Sequence, residues 1–379
     1  MAKATAKKST SNKAPRSKSI IPDSSYTFLR DYINNASPTG FESSGQQMWM
    51  DYMKPFADEF ITDPYGTAVG VINPGAPFKV VIEAHADEIS WFVNYISSDG
   101  LIYLKRNGGV DHQIAPSMRV WIHGKKGLVK AVFGWPAIHT RLGSADKETQ
   151  PKVDNLFLDC GARNKKEVEA LGIHVGAVVT YVDGYDELAH DYLIGRAFDN
   201  RIGGFMIAEV ARLLKANNKK LPYSLYVVNA VQEEIGLRGA EMIARRIKPD
   251  VAIITDVTHD STTPMISKNI EGDCSCGKGP SLCYGPAVHN KLLDLVQDVA
   301  SRKKIPVQLR AVSRSTGTDT DSFAYANDGC PSVLISIPLR YMHTTVEMLH
   351  KKDIEHTIQL MYETLLTLTP KTNLSYFRK

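Results

Sequence analysis

The sequence predicts an α/β protein whose chain is interrupted by a small β-rich domain. Apolar runs such as KVVIEA at 79–84 and SVLISI at 332–337 have the length and composition of buried strands, and they alternate with amphipathic helical segments. Between Trp91 and Tyr185 the pattern changes to short β-rich segments separated by Gly, Pro and Asn, with few long helices. These observations favour a large α/β domain with an inserted β domain.

The length and composition are consistent with two domains. The 379 residues are 43% hydrophobic and 23% charged, which is an ordinary globular composition and enough for a large core and a second domain. We predict a disordered tail at residues 1–24, an α/β domain at 25–90 and 186–379, and the β-rich insertion at 91–185.

The positive charge is concentrated in the tail. Residues 1–22 hold six basic residues and no acid, which exceeds the net charge of +4, so the remainder is slightly negative. The folded part therefore lacks the basic field typical of nucleic-acid binding, and no nucleic-acid partner is expected. A solvated arm is the commoner role for such a tail.

Neither a membrane nor a disulfide framework is expected. The tail lacks the apolar core of a secretory signal, and no apolar run is long enough to span a bilayer. The five cysteines are an odd number and sparse for this length, which favours a reducing compartment such as the cytoplasm. The irregular spacing of Cys274, Cys276 and Cys283 favours reduced loop cysteines over structural zinc.

The first half of the α/β domain places charged residues after a strand. Helices are predicted at 25–36 and 44–56, separated by the breaking sequence SPTG at 37–40. The buried strand at 79–84 then leads directly to His85 and Asp87. The carboxyl end of this strand is therefore a candidate site.

Further polar residues follow later predicted elements. A helix marked by Ile202 starts at Asp199, for which an N-cap role is the simpler interpretation. The strand beginning at Ser224 ends in Glu233 and Glu234, and glycines then turn the chain into a short helix. Asp256 follows a strand at 251–254, and His343 follows the strand at 332–337. Helices at 292–300 and 354–366 and a strand at 306–312 complete the domain.

Together these residues form a set of metal-binding type. Histidine nitrogen and carboxylate oxygen suit zinc, cobalt or manganese, and the set is too poor in sulfur for structural zinc. Two ions need a carboxylate between them and about two further ligands each. Asp87 can orient His85 from behind, and one of the paired glutamates can bind metal while the other acts as a base. The candidate residues are His85, Asp87, Asp199, Glu233, Glu234, Asp256 and His343.

Other chemistries have less support. The chain has no Gly-x-Ser-x-Gly, Walker loop, His-Glu-x-x-His or dinucleotide-binding glycine motif. A glycosidase could use the paired glutamates, but it would need no histidine-rich set around them.

The chain resembles the tetrahedral (TET) aminopeptidases, a family that includes glutamyl and deblocking aminopeptidases. The match is carried by EAHADEIS, GRAFDNRIGG, VQEEIGLRGA and RYMHTTVEM, supported by ITDVTHD, GKGP and STGTD. The β-rich insertion also lies between Asp87 and Asp199, as in that family, whereas related carboxypeptidases and deacylases carry their extra domain after the Glu-Glu segment. The resemblance implies a three-layer α/β/α zinc-peptidase-like catalytic domain with a central mixed sheet, and a dimerisation role for the insertion.

The resemblance also implies roles for the candidate residues. His85, Asp199 and Asp256 would hold one divalent ion, Asp199 would bridge, and Glu234 with His343 would complete the second site. Glu233 would be the general base and Asp87 would orient His85. The implied activity is removal of N-terminal residues from short peptides through a metal-bridging water, with Zn²⁺, Co²⁺ or Mn²⁺ as cofactor. Dimers would assemble into a homo-dodecamer.

Three alternatives remain open on the sequence. They are a dinuclear amidase or deacylase, the endoglucanase activity with which some relatives are labelled, and a metal-free binding protein on the same fold. The pocket for the first side chain is not defined by any motif, but segments 274–285 and 317–319 are candidates for its walls. Asp319 is interpreted as a turn cap rather than a partner of a basic substrate.

Overall fold

The computed structural model describes residues 19–141 and 150–377. Most of the predicted tail, residues 1–18, therefore lies outside the described part of the chain. The side chain of Ile21 is already buried in the core, so the folded domain begins before the predicted boundary at residue 25.

The described ranges contain seventeen strands and ten α-helices. The strands are β1 (Glu59–Thr62), β2 (Ala68–Ile72), β3 (Lys79–His85), β4 (Ser90–Ile96), β5 (Ile102–Asn107), β6 (Arg119–Gly124), β7 (Gly127–Gly134), β8 (Phe157–Asp159), β9 (Val178–Tyr181), β10 (Asp186–Leu188), β11 (Tyr192–Gly195), β12 (Ser224–Ala230), β13 (Val251–His259), β14 (Ser281–Tyr284), β15 (Gln308–Ala311), β16 (Ser332–Leu339) and β17 (Glu347–His350). The helices are α1 (Asp23–Asn34), α2 (Ser43–Met53), α3 (Ile138–Arg141), α4 (Lys165–Ala170), α5 (Phe198–Ala216), α6 (Arg238–Ile247), α7 (Lys268–Glu271), α8 (Asn290–Lys303), α9 (Thr320–Ala324) and α10 (Lys351–Thr367).

An eight-stranded mixed sheet forms the centre of the α/β domain. Its order is β1-β2-β12-β3-β13-β16-β14-β15. The four central strands β12, β3, β13 and β16 are mutually parallel, whereas β2 pairs antiparallel with β12 and β14 pairs antiparallel with β16. The predicted α/β class with a central mixed sheet is thus confirmed. All four parallel strands point their carboxyl ends at one edge.

The central strands are apolar because both of their faces are covered. Seven or more consecutive positions of β13 and β16 are buried, as expected for parallel strands between two helical layers. Helices α1, α2, α5, α8 and α10 form one connected set of packed helices, and α6 and α9 form a second set. Helix α10 turns Ile354, Ile358, Met361 and Leu365 toward the core at helical spacing.

The predicted insertion contains a closed six-stranded antiparallel barrel. Its strands follow the order β4-β5-β8-β7-β6-β9 and span residues 90–181. The barrel has its own hydrophobic core, separate from that of the sheet, in which the rings of Trp91 and Phe133 meet edge to face. Closure leaves no free sheet edge, since every strand is paired on both sides.

A small sheet connects the barrel's exit to the main domain. Strand β11 pairs antiparallel with both β10 and β17, and Gly195 lies opposite Glu347. The chain that leaves β11 enters α5 within three residues. This pairing therefore holds the start of α5 beside the segment that follows β16.

Two details differ from the sequence-based expectations. Cys283, interpreted from the sequence as a loop cysteine, instead lies in β14, which joins the main sheet and buries it. Strand β13 continues five residues beyond Ile254, so Asp256 lies within a strand rather than after it. None of the helices in the described ranges is both long and apolar enough to cross a membrane.

Candidate active site

The parallel strands bring the predicted site residues together at one edge of the sheet. His85 is the last residue of β3 and pairs with Ala230 at the end of β12, so Glu233 follows close by. Asp256 projects from β13, the strand on the other side of β3. His343 follows β16, which in turn pairs with β13. All seven predicted residues lie in this one cluster, with the separations given below.

Asp199 lies between the two histidines. Its Oδ1 is 3.2 Å from Nε2 of His85, and its Oδ2 is 3.3 Å from Nε2 of His343. The N-cap interpretation is wrong, because Asp199 caps nothing and Oδ1 of Asn200 accepts the N–H of Gly203 instead. Each carboxylate oxygen of Asp199 thus faces a different imidazole.

The two adjacent glutamates point in different directions. Glu233 and Glu234 begin a single 3₁₀ turn after β12, and α6 starts at Arg238 after the left-handed Gly236. Oε2 of Glu234 lies 3.4 Å from Nε2 of His343. Oε2 of Glu233 lies 3.9 Å from Nε2 of His85, near Asp256, whose Oδ1 is 3.8 Å from the same nitrogen. The pair therefore contributes one carboxylate to each side of the cluster.

Asp87 fixes the cluster from behind. Its fully buried carboxylate lies 3.4 Å from Nδ1 of His85 and accepts the backbone N–H groups of Glu233 and Glu234. The hydroxyl of Thr39 also donates to it, at 2.9 Å. One side chain thus ties the end of β3 to the turn that carries the glutamates.

Burial and mutual repulsion shift the pKa values of the carboxyls. Burial raises the pKa of Asp256 to about 7 and raises those of Glu233 and Glu234. For Asp199, hydrogen bonds to both histidines outweigh burial and hold the pKa below its ordinary value. The surrounding carboxylates raise the pKa values of His85 and His343 against the opposing effect of burial.

The donor set fits divalent metal ions. No Lys or Arg of the described ranges forms an ion pair with these carboxylates, so no permanently charged side chain of those ranges offsets their negative charge. Two triplets each offer ligand atoms within 4.8 Å of one another. One is His85, Asp199 and Glu234, and the other is His85, Glu233 and Asp256. Nitrogen and carboxylate oxygen at this spacing are what zinc, cobalt or manganese bind.

Two more acids lie beneath the cluster. Glu83 and Asp319 are fully buried beside each other, and no other described group donates a hydrogen bond to their oxygens. Burial raises the pKa of Glu83 to about 8, and burial with the neighbouring Glu83 raises that of Asp319. Asp319 is therefore neither a side-chain cap for α9 nor exposed to a substrate.

A cavity of about 460 Å³ opens over the cluster. Gly317 and Thr318 line it, as the sequence suggested, but no residue of 274–285 is among its described lining residues. Other lining residues, which the sequence did not indicate, include Leu237, His259, Arg310 and Met342. The volume is within the range of small-molecule sites in proteins.

Glu347 is a site residue that sequence reasoning missed. Its buried carboxylate accepts the backbone N–H of His343 at 2.9 Å and that of Asp199 at 3.1 Å. No spacing rule identifies it, because the segment between His343 and Glu347 is irregular. Thr39 was also missed, since the SPTG sequence was interpreted only as a helix stop. Both residues position groups that the sequence did identify.

Such a fold and site define a hydrolase of the peptidase class, and comparison with known proteins specifies the class further. A family model described as M42 glutamyl aminopeptidase matches residues 66–360. The chain belongs to this family and is an aminopeptidase.

Individual relatives extend over almost the whole chain. A lysyl aminopeptidase of Pyrococcus furiosus is 30% identical over 346 residues, covering 91% of this chain and 98% of the relative. The crystal structure of a TET aminopeptidase from a marine sediment thaumarchaeon superposes with a TM-score of 0.87 at 30% identity, covering 92% and 98%. The TET1 peptidase of Pyrococcus horikoshii, described as assembling into a tetrahedron or a large octahedral shell, shares the fold with a TM-score of 0.79 at 23% identity, covering 89% and 98%.

We predict that Glu347→Ala weakens metal binding by about 10- to 100-fold, because the backbones carrying Asp199 and His343 lose their common acceptor. Competition of the variant with a chromogenic chelator for Zn²⁺ measures this. Glu347→Gln keeps an acceptor oxygen and should lose less. Glu363→Ala, which removes only an ion pair with Lys303, is the control. Wild-type affinity in Glu347→Ala would contradict the positioning role.

Proposed function

We propose that this chain is a metal-dependent aminopeptidase that uses two divalent ions to remove the N-terminal residue of short peptides. His85, Asp199 and Asp256 would hold one ion, and Asp199, Glu234 and His343 the other. Bound there, the ions would polarise the scissile carbonyl and lower the pKa of an attacking water. The observation that carries the proposal is the position of Asp199 between two imidazoles.

The geometry supports a bridging role for Asp199. Its two oxygens face His85 and His343 at nearly equal distances of 3.2 and 3.3 Å. A carboxylate with both oxygens directed at separate donors can neutralise part of the repulsion between two cations. Hydrogen bonds to both histidines hold its pKa below the ordinary value, which favours the ionised form.

Glu233 is suited to be the general base. It lies within the cavity lining, and its separation of 3.9 Å from His85 is the longest in the cluster. Glu234 lies closer to its imidazole, at 3.4 Å, and is assigned to the ligand set. Glu233 would take the proton from the water and deliver it to the leaving amine.

Asp87 would keep His85 in the productive tautomer. A carboxylate next to Nδ1 favours the proton on that nitrogen, which leaves Nε2 free as a ligand. Because the same carboxylate accepts the N–H of Glu233, it would also set the distance between the base and the imidazole.

The compartment is also part of the proposal. All five cysteines are free thiols, and four of them are buried. This supports a reducing location such as the cytoplasm.

We predict that Glu233→Gln lowers kcat by at least about 100-fold, since it removes the base while every proposed ligand remains. Hydrolysis of aminoacyl-p-nitroanilides by metal-loaded enzyme measures kcat, and elemental analysis checks that the metal content is unchanged. Glu241→Gln, an exposed change on α6, is the matched control.

Either of two results would contradict this function. Near-wild-type turnover in Glu233→Gln would show that Glu233 is not the general base. Equal hydrolysis of peptides with free and acetylated N-termini would indicate an amidase or deacylase instead of an aminopeptidase.

We further propose that the chain forms a homo-oligomer, a dodecamer built from dimers in which the barrel domain supplies dimer contacts. Support comes from the fold shared with a protein described as a tetrahedral or octahedral assembly. The barrel also has an independent core, so it can present a rigid surface. Sedimentation velocity of the full chain should show a species of twelve chain masses. A monomer at micromolar concentration would exclude this assembly.

A further inference from the structure

One short segment of the barrel domain, residues 107–110, reaches the active-site cluster. It comprises the last residue of β5 and the three residues that follow. The carbonyl oxygen of Gly109 accepts a hydrogen bond from Nδ1 of His343 at 3.1 Å. The other ring nitrogen, Nε2, is the one that the carboxylates of Asp199 and Glu234 approach. The barrel therefore supplies an acceptor behind this imidazole.

This acceptor matches the one behind the other histidine. An imidazole that binds a metal usually donates its second N–H to a carboxylate or a backbone carbonyl, which fixes the ring orientation and the tautomer. Asp87 lies next to Nδ1 of His85, and the Gly109 carbonyl accepts from Nδ1 of His343. In both cases Nε2 is left for a metal ion.

The contact leaves no room for a side chain at position 109. A Cβ atom there would lie 2.8 Å from Nδ1 and 2.9 Å from Cε1 of the His343 ring, which is closer than real Cβ contacts. The φ angle of Gly109 lies outside the left-handed region, so the backbone conformation does not itself require glycine. The imidazole beside it is therefore the reason for a residue without a side chain.

Gly108 brings the same segment against one of the paired glutamates. Its φ of +82° is one that residues with a side chain rarely adopt, and a Cβ atom would lie 3.2 Å from Cβ of Glu234. The two glycines thus allow the barrel backbone to approach both Glu234 and His343. These are the residues proposed to complete the second metal site.

Both ends of the segment are anchored. The buried side chain of Asn107 donates from Nδ2 to the carbonyl oxygen of Thr39 and to the hydroxyl of Ser90, each at 2.9 Å. At the other end, Val110 is buried in the hydrophobic core of the barrel. Thr39 is also the residue whose hydroxyl donates to Asp87, so the segment adjoins that side of the cluster as well. The barrel therefore fixes the position of the carbonyl between these two ends.

We propose that segment 107–110 is a positioning element of the active site, which orients His343 for the second metal ion through the Gly109 carbonyl. The inserted domain then contributes to metal binding within its own chain, in addition to its proposed dimer contacts. This role rests on the two-metal function proposed above. By linkage, an ion bound to His343 also restrains the segment that holds the imidazole.

The test is Gly109→Ala in the full-length protein. The added methyl group should displace the imidazole of His343 or the carbonyl behind it. We expect the affinity for the second Zn²⁺ ion to fall about 10- to 100-fold while the first ion is retained. Competition with a chromogenic chelator measures both affinities. The visible absorption spectrum of the Co²⁺-loaded protein, which reports the ligand geometry of the ion, should change as well.

Two control variants show whether a destabilised barrel alone has this effect. Gly161→Ala adds a side chain at a left-handed glycine of the barrel domain, with φ of +80° and no atom within 4 Å of the new Cβ. Val120→Ala removes volume from the barrel core. Both variants should lower the thermal stability of the protein, yet both metal affinities should stay at the wild-type value.

Hydrogen exchange gives a second readout that does not involve turnover. Loading with Zn²⁺ should slow amide exchange across residues 107–111 of the wild type, because the bound ion holds His343 against the Gly109 carbonyl. In Gly109→Ala this protection should be lost. Exchange in the turn between β6 and β7, residues 124–127, should not respond to metal in either protein.

The outcomes separate the role of the segment from the two-metal function. Wild-type affinity for the second ion in Gly109→Ala, or an equal loss in either control variant, would overturn the positioning role. Exchange at residues 107–111 that does not respond to metal in the wild type would overturn it as well. In these cases two ions per wild-type chain would leave the proposed function intact. Fewer than two ions per wild-type chain would instead overturn the two-metal function, and the role of the segment with it.

Discussion

The buried carboxylate of Asp87 is the constraint on which the arrangement of the site depends. It touches Nδ1 of His85 and holds the N–H groups of both glutamates, and Thr39 donates to it from the turn between α1 and α2. These partners come from three separate segments of the chain. A carboxyl group buried at this depth is stable only when its oxygens have hydrogen-bond partners, so the site depends on these three segments meeting. Folding and site assembly are thereby linked.

Glu347 plays the corresponding part on the other side of the cluster. It lies at the start of β17, opposite Gly195 at the end of β11, and its two oxygens accept the N–H groups of Asp199 and His343. Asp199 and His343, which do not lie in strands, are thus held in place by the side chain of Glu347. The barrel is inserted in the sequence between His85 and Asp199, yet the two residues remain in contact. The reason is that the β10-β11-β17 sheet returns the chain from the barrel to the edge of the main sheet where His85 lies.

Much of the site could be predicted because its residues sit at the ends of strongly patterned elements. His85 ends one buried strand, Glu233 and His343 follow two others, and parallel strands bring their carboxyl ends to one edge. Glu347 and Thr39 escaped prediction since they act through backbone N–H groups or another side chain, and no periodicity marks such contacts. Strand β14 was interpreted as loop because its four residues are too few to show a period. Arg310 also escaped prediction as a lining residue of the cavity, because its position depends on the pairing of β15 with β14, which sequence patterns do not determine.

In the proposed centre, Asp199 would join two metal ions. Elemental analysis of the full-length protein, loaded with Zn²⁺ or Co²⁺ and then freed of excess metal by gel filtration, tests it most directly. We expect two ions per chain. One ion per chain, or none, would contradict the claim.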